Sequence, residues 1–519
     1  SIQVITRAKQ RGLSLSPKDV FEQPTVRGLA ARAGAAPVIR AEQGRVSGEV
    51  PLTPIQQAFF ERQLENPHHY NQALLLDVQE PLDPDLLQQT LKQLIDHHDA
   101  LRLQFKFSQN RWHATFDNLI ERVPFDNVNL STVPLEELDE QLEHAVRKAQ
   151  ESLNIEHGPL LRMTYVRLPE SHSDRLHIVC HHLVIDGVSW RIFLEDFQNI
   201  YQRLSNSQSV QMPLKTSSIQ EWSEALQTYA ASETLWEEID YWQQLAQHTA
   251  HDLPTDAKNG SNTEGDAVTF QTSLDADLTD ALLRDVPSAY NTQITEVLLT
   301  ALADAVKHWT GHHEMWVSLE GHGREPISET VDVSRTIGWF TSLYPVYVEL
   351  PEQPQWSERL NTIKRQVRAV PVKGIGYGVL RYLAQDKVRQ AMAAVPHPPM
   401  VFNYLGQFEN ESHGAFSVRP AAEAGPERAA ENERQHLLDF SANVHNGEFH
   451  LYIMYSSQLF QADTIESLAH GFMDALKEII RGCQDNTVQY SAADFEDVDL
   501  DEDEFDNLIA ELSENQDDD

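Results

Sequence analysis

The chain has 519 residues, too many for one ordinary hydrophobic core, and this length predicts two to four domains. Its composition, 41% hydrophobic and 23% charged, is typical of a globular protein. The formal net charge of −39 argues against nucleic acid and anionic membranes as partners, because both attract basic surfaces.

Residues 1–33 have the pattern of the end of a small helical unit. A first helix is predicted at residues 1–10, and two shorter ones begin near Pro17 and Thr25. These segments are too short to enclose a core, so we expect them to be the last part of a larger upstream unit. Residues 34–50 are rich in Ala, Gly and Pro without a hydrophobic period, and we predict a linker there.

Residues 51–225 are predicted to form a first subdomain of mixed helices and strands. Thr53 can cap a helix that Pro54 opens. The elements that follow are a helix around 86–95, a strand at 101–107, a helix at 135–153, and strands at 160–167 and 175–182. This mixture indicates an α/β or α+β architecture.

The last of these strands ends in two histidines, His181 and His182, and a helix is predicted to follow a break at Asp186. Side chains alternate along a strand, so the two histidines point in opposite directions and one of them is expected to be architectural. The same alternation argues against a metal centre built from Cys180 and these histidines. Asp186 can hold the loop through backbone amides or an arginine. From these residues alone, a buried structural pair and a catalytic histidine both stay open.

Residues 226–493 repeat a similar order of elements and are predicted to be a second subdomain. The predicted elements are strands at 267–272, 316–320, 343–350 and 400–405, helices at 294–309, 356–367 and 463–481, and a hairpin turn at 446–447. Two halves of similar order suggest a pseudo-twofold pair with a cleft between them.

A second stretch with candidate chemistry is the Glu-Gly-His-Gly-Arg-Glu sequence at 320–325. Glu320 ends an apolar strand, where a carboxylate is costly unless it is paired or functional. If the halves are pseudosymmetric, Glu320 and His182 face each other across the cleft. An acid and a base so placed suit the removal and return of a proton on opposite faces of a carbon. The alternative is a surface loop with an ion pair between Arg324 and a glutamate.

Three further segments offer groups to such a cleft. Trp339 and Thr341 lie on a loop before a strand, where ordinary core packing is the alternative. Asn403 and Tyr404 are neighbours on one strand and point to opposite faces. Tyr404 can donate a hydrogen bond to a developing oxyanion or be a buried structural tyrosine. The glycine-rich segment at 373–378 lacks the Walker pattern and follows no strand, which argues against nucleotide binding.

Several of these motifs resemble the condensation-domain superfamily of nonribosomal peptide synthetases. The His-His-Leu-Val-Ile-Asp-Gly sequence at 181–187 resembles its signature. The segments at 320–325, 336–345, 373–378 and 402–406 look like its epimerization branch in particular. Residues 1–33 resemble the C-terminal part of a peptidyl carrier protein, in which case the phosphopantetheine-bearing serine is expected just upstream of Ser1.

The resemblance implies a fold and a reaction. The fold is two chloramphenicol-acetyltransferase-like subdomains in a V-shaped pseudo-dimer, with a tunnel for the carrier's arm. The reaction exchanges the α-proton of a carrier-bound aminoacyl or peptidyl thioester, giving an L/D mixture in peptide antibiotic biosynthesis. The implied cofactor is 4′-phosphopantetheine on the carrier protein, with no metal and no pyridoxal phosphate.

The resemblance also assigns residues. Carried over by motif position, His182 and Glu320 become the acid/base pair. Asp186 and Arg324 hold the loops, and Asn403 and Tyr404 flank the reacting carbonyl. The complete set of expected supporting residues is His181, Asp186, Arg324, Trp339, Thr341, Asn403 and Tyr404.

The implied partners are a peptidyl carrier protein in cis, an upstream adenylation domain, and a downstream condensation domain or synthetase subunit. Residues 494–519 hold fourteen acidic and no basic side chains, a composition that favours disorder. Apolar residues at helical spacing from Phe505 to Leu512 favour instead a docking helix for a basic acceptor on the next subunit.

Two other functions stay open. A condensation domain would form a peptide bond with His182 as its only essential base, and Glu320 in its motif argues against this. A non-catalytic docking platform for carriers is the second alternative. The only cysteines are Cys180 and Cys483, no apolar run is of membrane length, and no signal-peptide pattern begins the chain, so we expect a cytoplasmic protein.

Overall fold

The computed structural model describes residues 8, 13–15, 25–35, 41–116, 122–352, 355–408, 416–419 and 421–484. Apart from Ala8, the predicted helices at 1–10 and near Pro17 lie outside these residues, as does the acidic tail at 494–519. The third predicted helix of the first unit is confirmed as α1, Val26–Arg32. Thr25 caps it by accepting the amide of Gly28 at 3.1 Å.

The strands are β1 (Leu13–Ser14), β2 (Gly34–Ala35), β3 (Glu49–Val50), β4 (Asn71–Val78), β5 (Leu103–Ser108), β6 (Arg111–Phe116), β7 (Phe125–Asn129), β8 (Leu161–Arg167), β9 (Asp174–His181), β10 (Ala267–Leu274), β11 (Glu314–Gly321), β12 (Ser342–Glu349), β13 (Met400–Phe408), β14 (Phe416–Val418), β15 (Leu438–His445) and β16 (Glu448–Ser456).

After α1, the helices are α2 (Pro54–Glu61), α3 (Pro84–His97), α4 (Leu135–Gln150), α5 (Gly187–Ser205), α6 (Ile219–Tyr229), α7 (Glu233–Glu237), α8 (Ile239–Leu245), α9 (Ala276–Tyr290), α10 (Ile294–Thr310), α11 (Trp356–Arg368), α12 (Ile375–Tyr382), α13 (Asp386–Met392) and α14 (Ala462–Gln484).

The first half is built on a five-stranded sheet in the order β14-β4-β9-β8-β7. Its middle strand, β9, is buried on both faces. Val179 packs with Ala73 against α4 on one face, whereas Ile178 and Cys180 belong to the main core on the other. This packing fixes the backbone at the end of β9, where the two histidines follow.

The second half is built on a six-stranded mixed sheet in the order β10-β16-β15-β13-β11-β12. β13 pairs in parallel with β11 and β15, and the other neighbours are antiparallel. One face is apolar, because Phe440 and Ala442 of β15 are buried in the core. The other face carries polar side chains that are only half buried, Ser441 and Asn443 among them. A sheet with one polar face is suited to line a solvated cleft.

One strand crosses from the second half to the first. β14 pairs with β4 in the register of Phe416 opposite Val78, so the chain from residue 416 onward fastens the halves together. Farther along, Arg428 forms an isolated antiparallel bridge with Tyr70. The predicted division of the chain at residue 225 did not anticipate this crossing, because a three-residue strand is too short to show a hydrophobic period.

The mixed α/β fold is confirmed, and the main predicted elements are present with ends that differ by a few residues. At the predicted hairpin, Asn446 and Gly447 have φ of 54° and 81°, the positive values that a type I′ turn requires. The small sheet β3-β6-β5 was predicted only in its β5 strand. Within the described residues, none of the helices has both the length and the apolar character needed to cross a bilayer.

Two glycines of the predicted motifs allow close packing between segments. Gly323 has φ of 63°, and a Cβ there would lie 1.6 Å from the carbonyl oxygen of Phe340. A Cβ at Gly376 would lie 2.0 Å from a carboxylate oxygen of Glu238. The glycines at 373–378 therefore allow helix α12 to approach its neighbours closely.

We predict that Gly323→Ala lowers the free energy of unfolding by about 3 kcal/mol or more, because both the left-handed backbone and the contact with Phe340 oppose a methyl group. The matched control is Gly311→Ala, where φ is 78° but no atom lies within 4 Å of the added Cβ. There the loss should be about 1 kcal/mol. Urea unfolding of both variants measures the difference, and equal losses would contradict the steric argument.

Candidate active site

His182 lies just beyond the end of β9, in a short 3₁₀ turn formed by His182–Val184. The predicted strand included His182, and that prediction was one residue too long. The amide of Ile185 closes the turn by donating to the His182 carbonyl at 3.3 Å, and the imidazole Nδ1 meets the Ile185 carbonyl at 2.7 Å. A carbonyl can only accept, so the Nδ1 of a neutral His182 carries the proton.

The other ring nitrogen of His182, Nε2, therefore carries the lone pair of the neutral ring. Its Nε2 lies 3.2 Å from the side-chain nitrogen of Gln72. The orientation of that amide is set by Trp190, whose indole N–H donates to the Gln72 oxygen at 2.9 Å. The amide N–H of Gln72 thus points at Nε2, which is consistent with Nε2 acting as an acceptor.

The imidazole of His182 is packed among aromatic rings. Trp339 stacks on it with ring centroids 4.2 Å apart, and Tyr70 lies nearly parallel at 5.9 Å. Burial and, after it, the positive charge of Arg428 lower the pKa of His182 to about 4. The ring is thus a neutral group that can accept a proton.

His181 has a different environment and does not share the cleft with His182. Its ring is fully buried, with Nε2 2.9 Å from the Pro67 carbonyl, while Nδ1 accepts the amide of Leu183 at 3.2 Å. Both ring nitrogens are therefore committed to the backbone. This is the arrangement of a structural histidine.

Glu320 lies at the end of β11 on the polar face of the second sheet. The amide nitrogen of Asn403, on the adjacent strand β13, donates to its carboxylate at 2.6 Å. The Glu320 side chain is exposed to solvent on one side, and protein atoms surround its carboxyl group on the others. That burial, together with the negative charge of Asp439, raises the pKa of Glu320 to about 7. The carboxyl group can therefore hold or release a proton near neutral pH.

Asp186 and Arg324 form a buried ion pair between the two halves, with Nη2 and Oδ1 3.2 Å apart. Asp186 also accepts the amides of Ser189 at 2.7 Å and Phe340 at 3.1 Å. The other guanidinium nitrogen, Nη1, donates to the carbonyls of Val333 and Thr336. The surface ion pair between Arg324 and a glutamate, considered from the sequence, is therefore wrong, because the arginine is buried and pairs with Asp186.

The remaining candidates are positioned differently. Trp339 covers His182, but its indole nitrogen has no hydrogen-bond partner among the described residues. Thr341 follows it and lines a cavity. Tyr404 packs against the core, its hydroxyl also without a partner there, and burial raises its pKa to about 12. A role for Tyr404 beside the reacting carbonyl stays a prediction.

A cavity of about 530 Å³ adjoins Trp339. It lies between α2, β12 and α12, and it reaches Ser318, two residues before Glu320 on the same strand. Its wall is largely apolar and aromatic, formed by residues such as Trp222, Leu226, Ile375 and Tyr377. A pocket of this size and character can accept an apolar organic group.

Groups of potential metal ligands lie elsewhere in the described chain. His97, His98 and Asp196 form one, and His251, His312 and Glu314 form another. In the first, Asp196 already pairs with Arg335 at 2.6 Å, and in the second the two imidazoles stack face to face at 4.0 Å. Neither includes a residue of the His182 and Glu320 site.

The sequence interpretation missed four residues of this site: Tyr70, Gln72, Trp190 and Arg428. Gln72, a partly buried polar residue just before the apolar run at 73–76 of strand β4, is a signal that was visible, because a partly buried amide needs hydrogen-bond partners.

Comparison with known proteins gives concordant results. A family model described as the condensation domain matches residues 46–500. A linear gramicidin synthase of Brevibacillus parabrevis is 41% identical over 515 residues, covering 99% of this chain. Surfactin synthase subunit 2 of Bacillus subtilis is 36% identical over 516 residues, again covering 99% of this chain. The chain spans only 10% and 14% of the length of these two relatives.

Among solved structures, the epimerization domain from the third module of tyrocidine synthetase B matches with a TM-score of 0.81 and 36% identity. The match covers 86% of this chain and 98% of that one. The SgcC5 protein of Streptomyces globisporus matches with a TM-score of 0.66, covering 83% and 98% of the two chains. At 16% identity that likeness concerns the fold alone.

We predict that Asp186→Asn lowers the free energy of unfolding by about 3 to 5 kcal/mol, because it leaves the Arg324 charge buried without a counter-ion. Glu143→Gln is the matched control: it removes a carboxylate from the exposed pair with Arg147 and should change stability by under about 0.5 kcal/mol. Urea titration measures both, and a loss below about 1 kcal/mol for Asp186→Asn would contradict the importance given to the pair.

Proposed function

The chain belongs to the condensation-domain superfamily of nonribosomal peptide synthetases, and within it we propose that this chain is an epimerization domain. Its substrate is an aminoacyl or peptidyl thioester bound to a carrier protein, and its product is the L/D mixture at the α-carbon. The observation that carries the proposal is Glu320, a strand-end carboxyl group with a pKa raised to about 7 that opens onto the polar face of the cleft. The likeness to an epimerization domain of tyrocidine synthetase B supports it.

The proposed reaction is a proton transfer with two side chains. The substrate displaces the amide of Gln72 from Nε2, and the neutral His182 then takes the α-proton there, which leaves an enolate of the thioester. The protonated Glu320 then returns a proton to the opposite face of the same carbon. In the reverse direction the carboxylate is the base and the imidazolium is the acid. Each group contributes about 10² to 10⁴-fold as a general acid or base.

One proton shared by the two side chains serves both directions. The form with neutral His182 and protonated Glu320 abstracts in one direction, and the form with the imidazolium and the carboxylate abstracts in the other. These forms are tautomers with the same total charge. Burial favours the uncharged one, because it lowers the pKa of His182 and raises that of Glu320.

The carrier's arm, 4′-phosphopantetheine, would enter along the polar face of the second sheet. Asn443 has a buried side-chain oxygen without a partner among the described residues, and it follows Ser441 on the face that carries Asn403. These groups suit the amides of such an arm. The thioester that the arm supplies acidifies the α-hydrogen, and this chemistry calls on neither a metal nor pyridoxal phosphate in the proposal.

The substrate's apolar part is proposed to occupy the cavity beside Trp339. Its wall of Trp222, Leu226, Ile375 and Tyr377 matches an apolar side chain or the preceding part of a peptide. The proposed partners are the carrier protein in cis, an upstream adenylation domain, and a downstream condensation domain or synthetase chain that docks through the tail at 494–519. All are cytoplasmic in this proposal.

We predict that Glu320→Gln and His182→Gln each slow the exchange of the α-proton by about 10² to 10⁴-fold. The assay loads a carrier with an apolar L-amino acid, incubates it in D₂O, and measures deuterium uptake and chirality by mass spectrometry. Glu314→Gln is the control, since Glu314 begins the same strand and lies outside the site; it should retain the wild-type rate.

The same assay separates the rival functions. With donor and acceptor carriers both loaded, amide formation without deuterium uptake would identify a condensation domain, which needs only His182. Absence of both reactions in the wild-type chain would indicate a docking platform. Formation of the D product at the wild-type rate in Glu320→Gln would remove the carboxylate from the mechanism.

We predict a bell-shaped pH dependence of the exchange rate, with limbs near pH 4 and pH 7. Below the first limb the imidazole is protonated and cannot accept the α-proton. Above the second the carboxyl group is ionised, and the shared proton is lost. Both directions require the singly protonated pair, so L and D substrates should give the same limbs. Limbs that differ between the two enantiomers would contradict the shared proton.

A further inference from the structure

Arg428 lies in the segment that crosses between the two halves, and the function proposed above assigns it no part. Its guanidinium carbon lies 3.7 Å from the centre of the Tyr70 ring, and that ring is in turn nearly parallel to the imidazole of His182 at 5.9 Å. The Tyr70 ring thus neighbours both the cation and the imidazole. A guanidinium over an aromatic face is an attractive contact that holds its position.

The backbone contacts of Arg428 fix this position. Its Nη1 donates to the Asn71 carbonyl and, at 3.2 Å, to the Glu427 carbonyl. The main chain is held as well, through the isolated bridge to Tyr70 and the amide of Asn71, which donates to the Glu427 carbonyl at 2.7 Å. The position of the arginine charge is therefore fixed relative to β4, the strand that also carries Gln72.

We propose that Arg428 is a positioning residue whose charge acts on both His182 and Glu320 and sets the pH interval over which that pair holds a single proton. The inference rests on the proposed function. A positive charge opposes protonation of the imidazole and favours ionisation of the carboxyl group, so it acts on both members in the same direction. Without it both ends of that pH interval would move upward, and a larger fraction of Glu320 would be protonated at neutral pH.

The electrostatic surroundings agree with this role. Arg428 lowers the pKa of His182, second only to burial, and it opposes the rise in the pKa of Glu320 that burial and Asp439 cause. Asp186 and His181 also act on His182. The other charged or titratable groups around Arg428 are Tyr70, His69, Glu264, Glu427 and Asp439, with Arg62 on the hydroxyl of Tyr70.

The test is a titration of Glu320 in the full chain without substrate. The side-chain carboxyl carbons of glutamate are labelled with ¹³C, and the Glu320 signal is identified by its absence from Glu320→Gln. In Arg428→Gln the midpoint should rise by about one pH unit from the wild-type value, the size expected of a nearby charge. Arg428→Lys keeps the charge and should restore the midpoint to within about half a unit.

Arg419→Gln is the matched control. It removes an arginine from the same crossing segment, where it pairs with Glu423 and Asp77, and it should leave the midpoint unchanged. An unshifted midpoint in Arg428→Gln would overturn the inference. If Arg428→Gln does not fold, the Arg428→Lys variant decides. A Glu320 midpoint one full pH unit from the wild-type value would overturn the inference, and a midpoint near the wild-type value would support it.

The pH dependence of α-proton exchange gives a second readout. The upper limb of the rate profile should move upward by the same amount in Arg428→Gln and return in Arg428→Lys. If Arg428→Gln shifts the Glu320 midpoint but the wild-type chain exchanges no α-proton, the role of Arg428 is supported and the proposed function is contradicted. If the wild-type chain exchanges the α-proton and the limbs of Arg428→Gln are unshifted, the proposed function is supported and the role of Arg428 is contradicted.

Discussion

The buried ion pair between Asp186 and Arg324 is the contact on which the site depends. It joins the loop after β9 to the loop after β11, and the amide of Phe340 and the hydroxyl of Ser189 close the same cluster. Each member of the pair follows a proposed reacting group by four residues, Asp186 after His182 and Arg324 after Glu320. A charge pair removed from water is costly to break, so it fixes the relative position of the two loops more strongly than exposed contacts would.

Burial also sets the proton chemistry. Removing water disfavours the charged form of each group, which means the imidazolium of His182 and the carboxylate of Glu320. The two pKa values therefore move in opposite directions, one to about 4 and the other to about 7. A pair so arranged holds one proton over the interval between them. In the proposed reaction the α-carbon of the substrate must then lie between the two groups.

The sequence predicted much of this because the main signals are local. A strand that ends in two histidines, a break at Asp186 and a carboxylate at the end of β11 can each be recognised from neighbouring residues. The end of β9 was misjudged by one residue, since the hydrogen bond of His182 to the Ile185 carbonyl overrides strand propensity there. Gln72 was missed because its contact to His182 arises from strand pairing in the folded chain.

Longer-range features were beyond such reasoning. The crossing strand β14 shows no periodicity, and the contact of Arg428 with Tyr70 joins segments far apart in sequence. The glycines at 373–378 had a visible pattern, but only the packing of Gly376 against Glu238 shows what that pattern accomplishes.

In the proposed reaction two different side chains transfer the proton on opposite faces of one carbon. A single-turnover reaction of an α-deuterated L-aminoacyl carrier thioester in ordinary water distinguishes this from transfer by one group. If the incoming proton comes from Glu320, the D product contains protium at the α-carbon from its first appearance. Retention of the original deuterium in the D product would contradict it, because a single group would then have carried the proton across.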